Sequence, residues 1–424
     1  MRRILERVDS SNLAWLALLV NWAAVAVLIP LPGSIGALSI LSYWTSSASE
    51  ATSVGLDLLI AVPLLALLFL VVDRRTKRSI WVTATLIVCY ALLAISGLKS
   101  APGLIWPVLM LLPIVVALLS VRDAKQIASV LFWILMVQSA VSAILYLIAY
   151  EQFRSPGFGI RASGFFYTPN GLYQLTAAGF LLSMTRLNGL RRVDAVFALC
   201  CLLCGVVTVW TYTRGALLGL GAGILVFSFF RPLRIRWLVA AIALSTICFA
   251  FTVRAGNGGD RAEKSVTGRL SIWHDSVGLW LHRPWLGSGQ GAFVRAAPNL
   301  PSKSISSIFP NEPKSLYLNL LLEGGVVGFA LFLGASASIF WQAVKIAKST
   351  ASEPWMRHWA EGTACYLSFL AVAGITDTPI FGDDVRVPAT FTWALVCGVT
   401  LSITADNRKK LCSTPRIPDT NSKL

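Results

Sequence analysis

Apolar positions in this chain fall in long, nearly uninterrupted blocks rather than in the alternating or one-faced patterns of soluble elements. The blocks run to about 18–25 residues, the length a helix needs to cross a hydrocarbon layer about 30 Å thick. They predict about twelve spans, near 12–30, 55–72, 79–98, 103–120, 127–149, 171–185, 194–212, 215–230, 237–253, 315–343, 359–376 and 388–404. A shorter block, 33–44, follows Pro30, Pro32 and Gly33 and predicts a re-entrant or interfacial piece. The expected fold class is an all-α polytopic membrane protein with a long polar loop, 254–314, between spans nine and ten. One integral membrane domain would cover 1–404. The polar segment 405–424, with two prolines, is expected to be a disordered tail.

Composition sharpens this picture. Of 424 residues, 56% are apolar and 13% charged, about half the charge of an ordinary soluble domain, which excludes a typical cytosolic enzyme and a disordered chain. A net charge of +16 would point a soluble protein toward nucleic acid. In a membrane protein it reports topology instead. Alternate connections (1–11, 73–78, 121–126, 185–192, 230–236, 344–358 and 405–424) hold 23 of the Lys and Arg residues. The opposite side holds five outside the loop 254–314, whose length frees it from that bias. Both termini are therefore expected on the cytoplasmic side and the long loop on the outer side. The apolar block after Met1-Arg2-Arg3 is too long for a signal-peptide core and reads as a first span.

Charge near membrane depth is costly and marks function. The loop 150–170 sets Arg154 and Arg161 among glycines and aromatics, just before Pro169-Asn170. Arg214 sits in Thr213-Arg214-Gly215, a hairpin with almost no loop on the side where basic residues are scarce. In the long loop, Leu270, Trp273, Val277, Trp280 and Leu281 recur at helical spacing beside Arg269, predicting an amphipathic helix that lies in the interface or caps a cavity. Several guanidinium groups on one membrane face suit a phosphate, because the planar fork binds two oxygens at once. Glu323, about eight residues into a span and so about 12 Å along it, is expected to face the bundle interior.

Other motifs lead elsewhere. Cys201-Leu-Leu-Cys204 has no second pair or histidine cluster and reads as small buried residues in an apolar block. Pro284-Trp285-Leu286-Gly287-Ser288-Gly289 resembles a nucleotide loop only superficially, since no strand precedes it, and predicts a tight turn. His274 is the one histidine placed to titrate near the outer side. Asp377, Asp383 and Asp384 lack the spacing of a cation site, so no metal is expected.

Four segments in this order resemble the O-antigen ligases of bacterial envelopes and the related O-antigen polymerases. They are Arg161-Ala-Ser-Gly164 with Pro169-Asn170; Thr213-Arg214-Gly215-Ala216; Arg269 with Trp273 and Pro284-Trp-Leu-Gly287-Ser-Gly289; and Leu316-Tyr317-Leu318 with Leu321-Leu322-Glu323-Gly324-Gly325. The resemblance implies a glycosyltransferase of the bacterial inner membrane with its site facing the periplasm. It would use no metal, nucleotide or other cofactor. Its donor would be a glycan on undecaprenyl diphosphate and its acceptor lipid A–core or another glycan; nucleic acid is not a partner. Carried over by position, Arg161, Arg214 and Arg269 would contact the diphosphate, with Asn170, Tyr317 and Glu323 also on the substrate side. Ligases have His-Asn before the Tyr-Leu of the late span, where Lys314-Ser315 stands here. That leaves Lys314 or Glu312 to act on the acceptor hydroxyl and raises the standing of a polymerase. A transporter or flippase for a lipid-linked saccharide is the alternative of another class; it predicts internal repeats and a polar path at the midplane, and the chain shows no repeats.

Overall fold

The computed structural model describes residues 121–148, 161–162, 169–187, 195–232, 259–289, 291–300, 312–380 and 387–413, with single positions from 112 to 120 and from 236 to 244. The spans expected at 12–30, 55–72 and 79–98, the piece 33–44, and most of 103–120 and 237–253 lie outside the described residues, as do Arg154, Asp383 and Asp384.

The described elements are α1 (Val121–Ile148), α2 (Pro169–Met184), α3 (Ala195–Trp210), α4 (Arg214–Ser228), α5 (Gly259–Leu281), α6 (Ala292–Ala296) with a 3-10 turn Ala297–Asn299, α7 (Leu316–Lys348), α8 (Pro354–Thr376) and α9 (Val387–Ser413). No strand occurs among the described residues. Seven of these helices coincide with apolar blocks of the sequence. Two helices, Ile127–Ile144 within α1 and the whole of α7, are long and apolar enough to cross a membrane; α3 and α4 are shorter apolar helices. The helix α9 runs through Ser413, past the expected start of a tail at 405, and the Asn407 amide donates to Ser352 Oγ at 3.2 Å. Polar residues there continue the helix beyond its apolar stretch instead of ending it.

Successive helices place their ends on alternate faces. On one face the Ala162 N–H bonds Trp210 O at 2.9 Å, Thr213 meets Asn170, and the Leu316 N–H bonds Asp377 O at 3.0 Å. This gathers the starts of α2, α4 and α7 with the ends of α3 and α8. On the other face, Thr185 donates to His358 O at 2.9 Å and Arg231 pairs with Glu361 at 3.0 Å.

The closest packing is between α4 and α8. Gly215, Gly219 and Gly223 form one row on α4, and a Cβ added at Gly219 would lie 2.8 Å from Phe369 O. A Cβ at Gly223 would lie 3.0 Å from Cys365 O. Small residues at four-residue intervals let two backbones approach where no hydrophobic force drives helices together. Cys200, Cys201, Cys204, Cys365 and Cys397 are free thiols within helices, as the sequence implies.

Helix α7 is not straight. Its 33 residues would extend about 50 Å, whereas α8, with 23, extends about 35 Å. Yet α7 starts beside the end of α8, and a short connection joins its own end to the start of α8. The excess is taken up at Gly325, whose φ of 63° and ψ of −168° break the helix. Distance along the axis therefore does not give the depth of Glu323.

Candidate functional site

Three residues, Thr211–Thr213, connect α3 to α4. Tyr212 adopts a φ of 47°, a left-handed conformation that costs a non-glycine residue free energy and persists only where the surroundings enforce it. The turn sets Thr213 at the N-cap of α4 and Arg214 as its first residue. The Thr213 hydroxyl makes no cap bond; it accepts from Arg161 Nη2 at 2.7 Å and donates to Asn170 Oδ1 at 3.3 Å. Arg161 Nε also donates to Thr211 O at 2.7 Å. One guanidinium thus ties the loop before α2 to the α3–α4 turn.

Arg269 reaches the same place from α5, donating to Thr376 O at 2.5 Å. A Cβ on Gly215, the neighbour of Arg214, would lie 2.7 Å from Thr376 Oγ1, so the start of α4 rests on the end of α8. Electrostatics confirm the convergence. Burial pulls the Arg161 guanidinium down from its ordinary value to about 10; the carboxylate of Asp377 opposes this, and the positive charges of Arg269 and Arg214 push the same way as burial.

Asp377 is the acid inside this group. It is 2% exposed, accepts from Tyr173 OH and from the Thr378 N–H, each at 2.9 Å, and its carbonyl takes the first N–H of α7. The N-termini of α2, α4 and α7 meet around it. Helix N-termini carry partial positive charge and unsatisfied N–H groups, and so add to the field of the arginines. The arrangement gathers three guanidinium groups from separate segments around one internal carboxylate, whose charge acts on Arg161.

Just before α7, Lys314 Nζ pairs with the Glu312 carboxylate. Glu312 is 1% exposed, and Lys314 has a φ of 54°, a second strained position one residue from the helix N-cap. Ser315, that N-cap, donates to Gly374 O at 3.4 Å. The pair is therefore held against the end of α8, two turns or less from Asp377.

Not every residue expected on the substrate side joins this group. Tyr317 donates to Ala371 O at 2.5 Å and packs edge-on to Phe329. Glu323 accepts from the Gly291 N–H at 2.9 Å. His274 has a side chain 90% exposed. Among the described residues no group of three His, Cys, Asp or Glu could hold a metal. The amphipathic stripe of α5 is split: Leu270, Val277 and Leu281 are exposed, Trp273 and Trp280 half-buried, and Ile272 is fully covered by Phe293, Leu300 and Leu322. Helical spacing fixed the apolar positions without showing that a second layer, 292–300, covers one side.

Asp377, Tyr173 and Thr213 are the members that sequence reasoning missed. Asp377 stood out as an outer-loop acid and was read with Asp383 and Asp384 as a weak cation cluster. Its position immediately after a span was the available signal.

Residues 199–333 match the family model of the O-antigen ligases. The matched segment contains Arg214, Arg269, Glu312, Lys314, Tyr317 and Glu323, and leaves Arg161, Asn170 and Asp377 outside it. No curated protein matches the chain. The O-antigen ligase resemblance read from the motifs is thus matched over about a third of the chain, which includes Arg214 and Arg269. An all-helical membrane protein with glycan ligase or polymerase character fits both the match and the apolar helices.

Proposed function

We propose that this O-antigen ligase-type protein transfers a saccharide from an undecaprenyl diphosphate-linked donor to an acceptor on the periplasmic face of the inner membrane. The observation that carries the reading is the meeting of Arg161, Arg214 and Arg269 with three helix N-termini around Asp377. The donor's diphosphate has the charge and the oxygens to engage those guanidinium groups. The acceptor hydroxyl attacks the anomeric carbon from the face opposite the diphosphate. The bond between the anomeric carbon and the bridging oxygen breaks, the oxygen and the electron pair leave with the diphosphate, and configuration inverts in one displacement. Negative charge grows on the leaving group, and preorganised cations stabilise it most where water is scarce. The acceptor proton passes to Glu312, while Lys314 orients the carboxylate and the incoming hydroxyl. No step in this route requires a metal or nucleotide.

Lys314 in place of the ligase histidine supports a second reading, a polymerase whose acceptor is another lipid-linked repeat unit. One experiment separates them. Purified protein is incubated with a lipid-diphosphate-linked repeat unit, with and without lipid A–core. Product only with core identifies a ligase, and a ladder without it a polymerase. Vectorial movement of unchanged donor across a vesicle, with no new glycosidic bond, would identify a transporter instead.

A further inference from the structure

The break in α7 is filled by another part of the chain. In a continuous helix, the Val326 and Val327 N–H groups would bond Leu322 O and Glu323 O. Instead Val326 N donates to Pro284 O at 2.8 Å and Val327 N to Trp285 O at 3.2 Å. The freed carbonyls are taken by the same turn: Ser288 N donates to Leu322 O at 2.7 Å and Gly289 N to Glu323 O at 3.0 Å. The turn 284–289 is inserted into the helix ladder and supplies partners for these two amides and two carbonyls. Two glycines make the insertion possible. A Cβ on Gly325 would sit 2.2 Å from Trp285 O, and one on Gly287 2.5 Å from Glu323 O; both residues have positive φ. Backbone groups in an apolar layer must be paired within the protein, so this joint has little freedom to slide.

One side chain closes it. Glu323 Oε1 accepts from the Gly291 N–H at 2.9 Å, beyond the turn and at the start of α6, with Arg295 nearby as a favourable charge. Below the joint, Leu322 packs with Phe293, Ala297 and Leu300 against Ile272, one turn from Arg269 on α5.

We infer that Glu323 is a positioning residue: its carboxylate latches the 284–291 turn into the break of α7 and so fixes where α5 presents Arg269 to the anion site. Its effect on the reaction, which rests on the function proposed above, passes through Arg269 and not through contact with sugar or acceptor. The acceptor function of the latch needs an oxygen at Oε1, not a charge. Glu323→Gln keeps that oxygen; Glu323→Ala removes it.

The test joins two measurements on the full-length protein in detergent or nanodiscs. Hydrogen–deuterium exchange followed by mass spectrometry reads the amides of 284–291 and 322–327 without reference to activity. Exchange there is expected to rise at least tenfold in Glu323→Ala and to match the parent in Glu323→Gln. Transfer assays are expected to give Glu323→Gln within about threefold of the parent, with Glu323→Ala losing at least tenfold in kcat/KM through a higher donor KM. Arg269→Ala is expected to lose activity while its 284–291 amides stay protected. A Glu323→Gln protein that is inactive with its joint still protected would overturn the inference, because the carboxylate would then act on substrate. Unchanged exchange in Glu323→Ala would overturn it as well. If the parent transfers no glycan, exchange still decides whether the latch exists, and only the proposed function falls.

Discussion

At Arg161, burial and like charge act in the same direction. Its guanidinium is lowered from its ordinary value to about 10 by desolvation first and by Arg269 and Arg214 as well, with Asp377 partly offsetting both. From about pH 10 up to the ordinary arginine value, the unfolded chain holds a proton that the folded protein has released. Stability linked to this group therefore rises with pH across that window, while the charge available to grip a diphosphate falls. Donor KM is expected to climb as pH passes about 10, with no matching loss of thermal stability from this residue. Asp377→Asn removes the attraction that holds the charge on Arg161, so the climb should begin at lower pH. A steady-state pH profile of both proteins checks this, and coincident profiles would refute the role of Asp377. Arg214→Ala should lower transfer by about 100-fold or more while the protein elutes as the parent does, the size expected for removing one preorganised charge donor at a developing anion. Arg161 and Arg214 were legible as charges beside apolar blocks, and Arg269 as a charge beside a Trp-rich stripe at helical spacing. Asp377 was not, because its meaning comes from Tyr173 and Arg161, each about 200 residues earlier in the chain.

Among the elements, the α4–α8 contact shows how helix packing sets the geometry of the site. Gly219 would bring a Cβ to 2.8 Å from Phe369 O, a backbone atom that cannot turn aside. Gly215 would meet Thr376 Oγ1 at 2.7 Å, the tip of a side chain that can rotate. Gly219→Ala is therefore expected to cost about 1–3 kcal/mol, as overpacking does in close-packed interiors, and Gly215→Ala less. Thermal unfolding of the detergent-solubilised variants, read as a larger drop in midpoint for Gly219→Ala, checks the order. Both variants should also weaken donor binding, since pushing α4 from α8 carries Arg214 away from Thr376. The helices themselves were legible, because block length alone distinguishes a span from a loop. The three glycines of α4 were visible at four-residue spacing, but nothing in the sequence named α8 as their partner. The broken α7 was equally hidden: Glu323-Gly324-Gly325 marks a weak point, and only the distant Pro284–Gly289 turn explains why the chain breaks there.

Across the whole molecule, the proposed donor and acceptor are served by different parts of the chain. The donor's arginines come from the loop before α2, the start of α4 and the body of α5, whereas Glu312 and Lys314 come from the segment that enters α7. The two groups meet at the end of α8, where Thr376 and Asp377 receive Arg269 and the first amide of α7, and Gly374 receives Ser315. Kinetics should separate along that boundary. Arginine variants lose stabilisation that begins when the diphosphate binds and grows as it leaves, so donor KM and kcat should both worsen. A group that handles only the acceptor proton acts after the donor is seated. Glu312→Gln is therefore expected to lower kcat by about 100-fold, within the range for a positioned general base, at nearly constant donor KM. Lys314→Ala should lose less, because the carboxylate that takes the proton remains. Donor-saturation curves for the two variants against Arg214→Ala decide the matter. A Glu312→Gln protein with raised donor KM and normal kcat would place that acid with the diphosphate group, and the acceptor's base would have to be sought elsewhere.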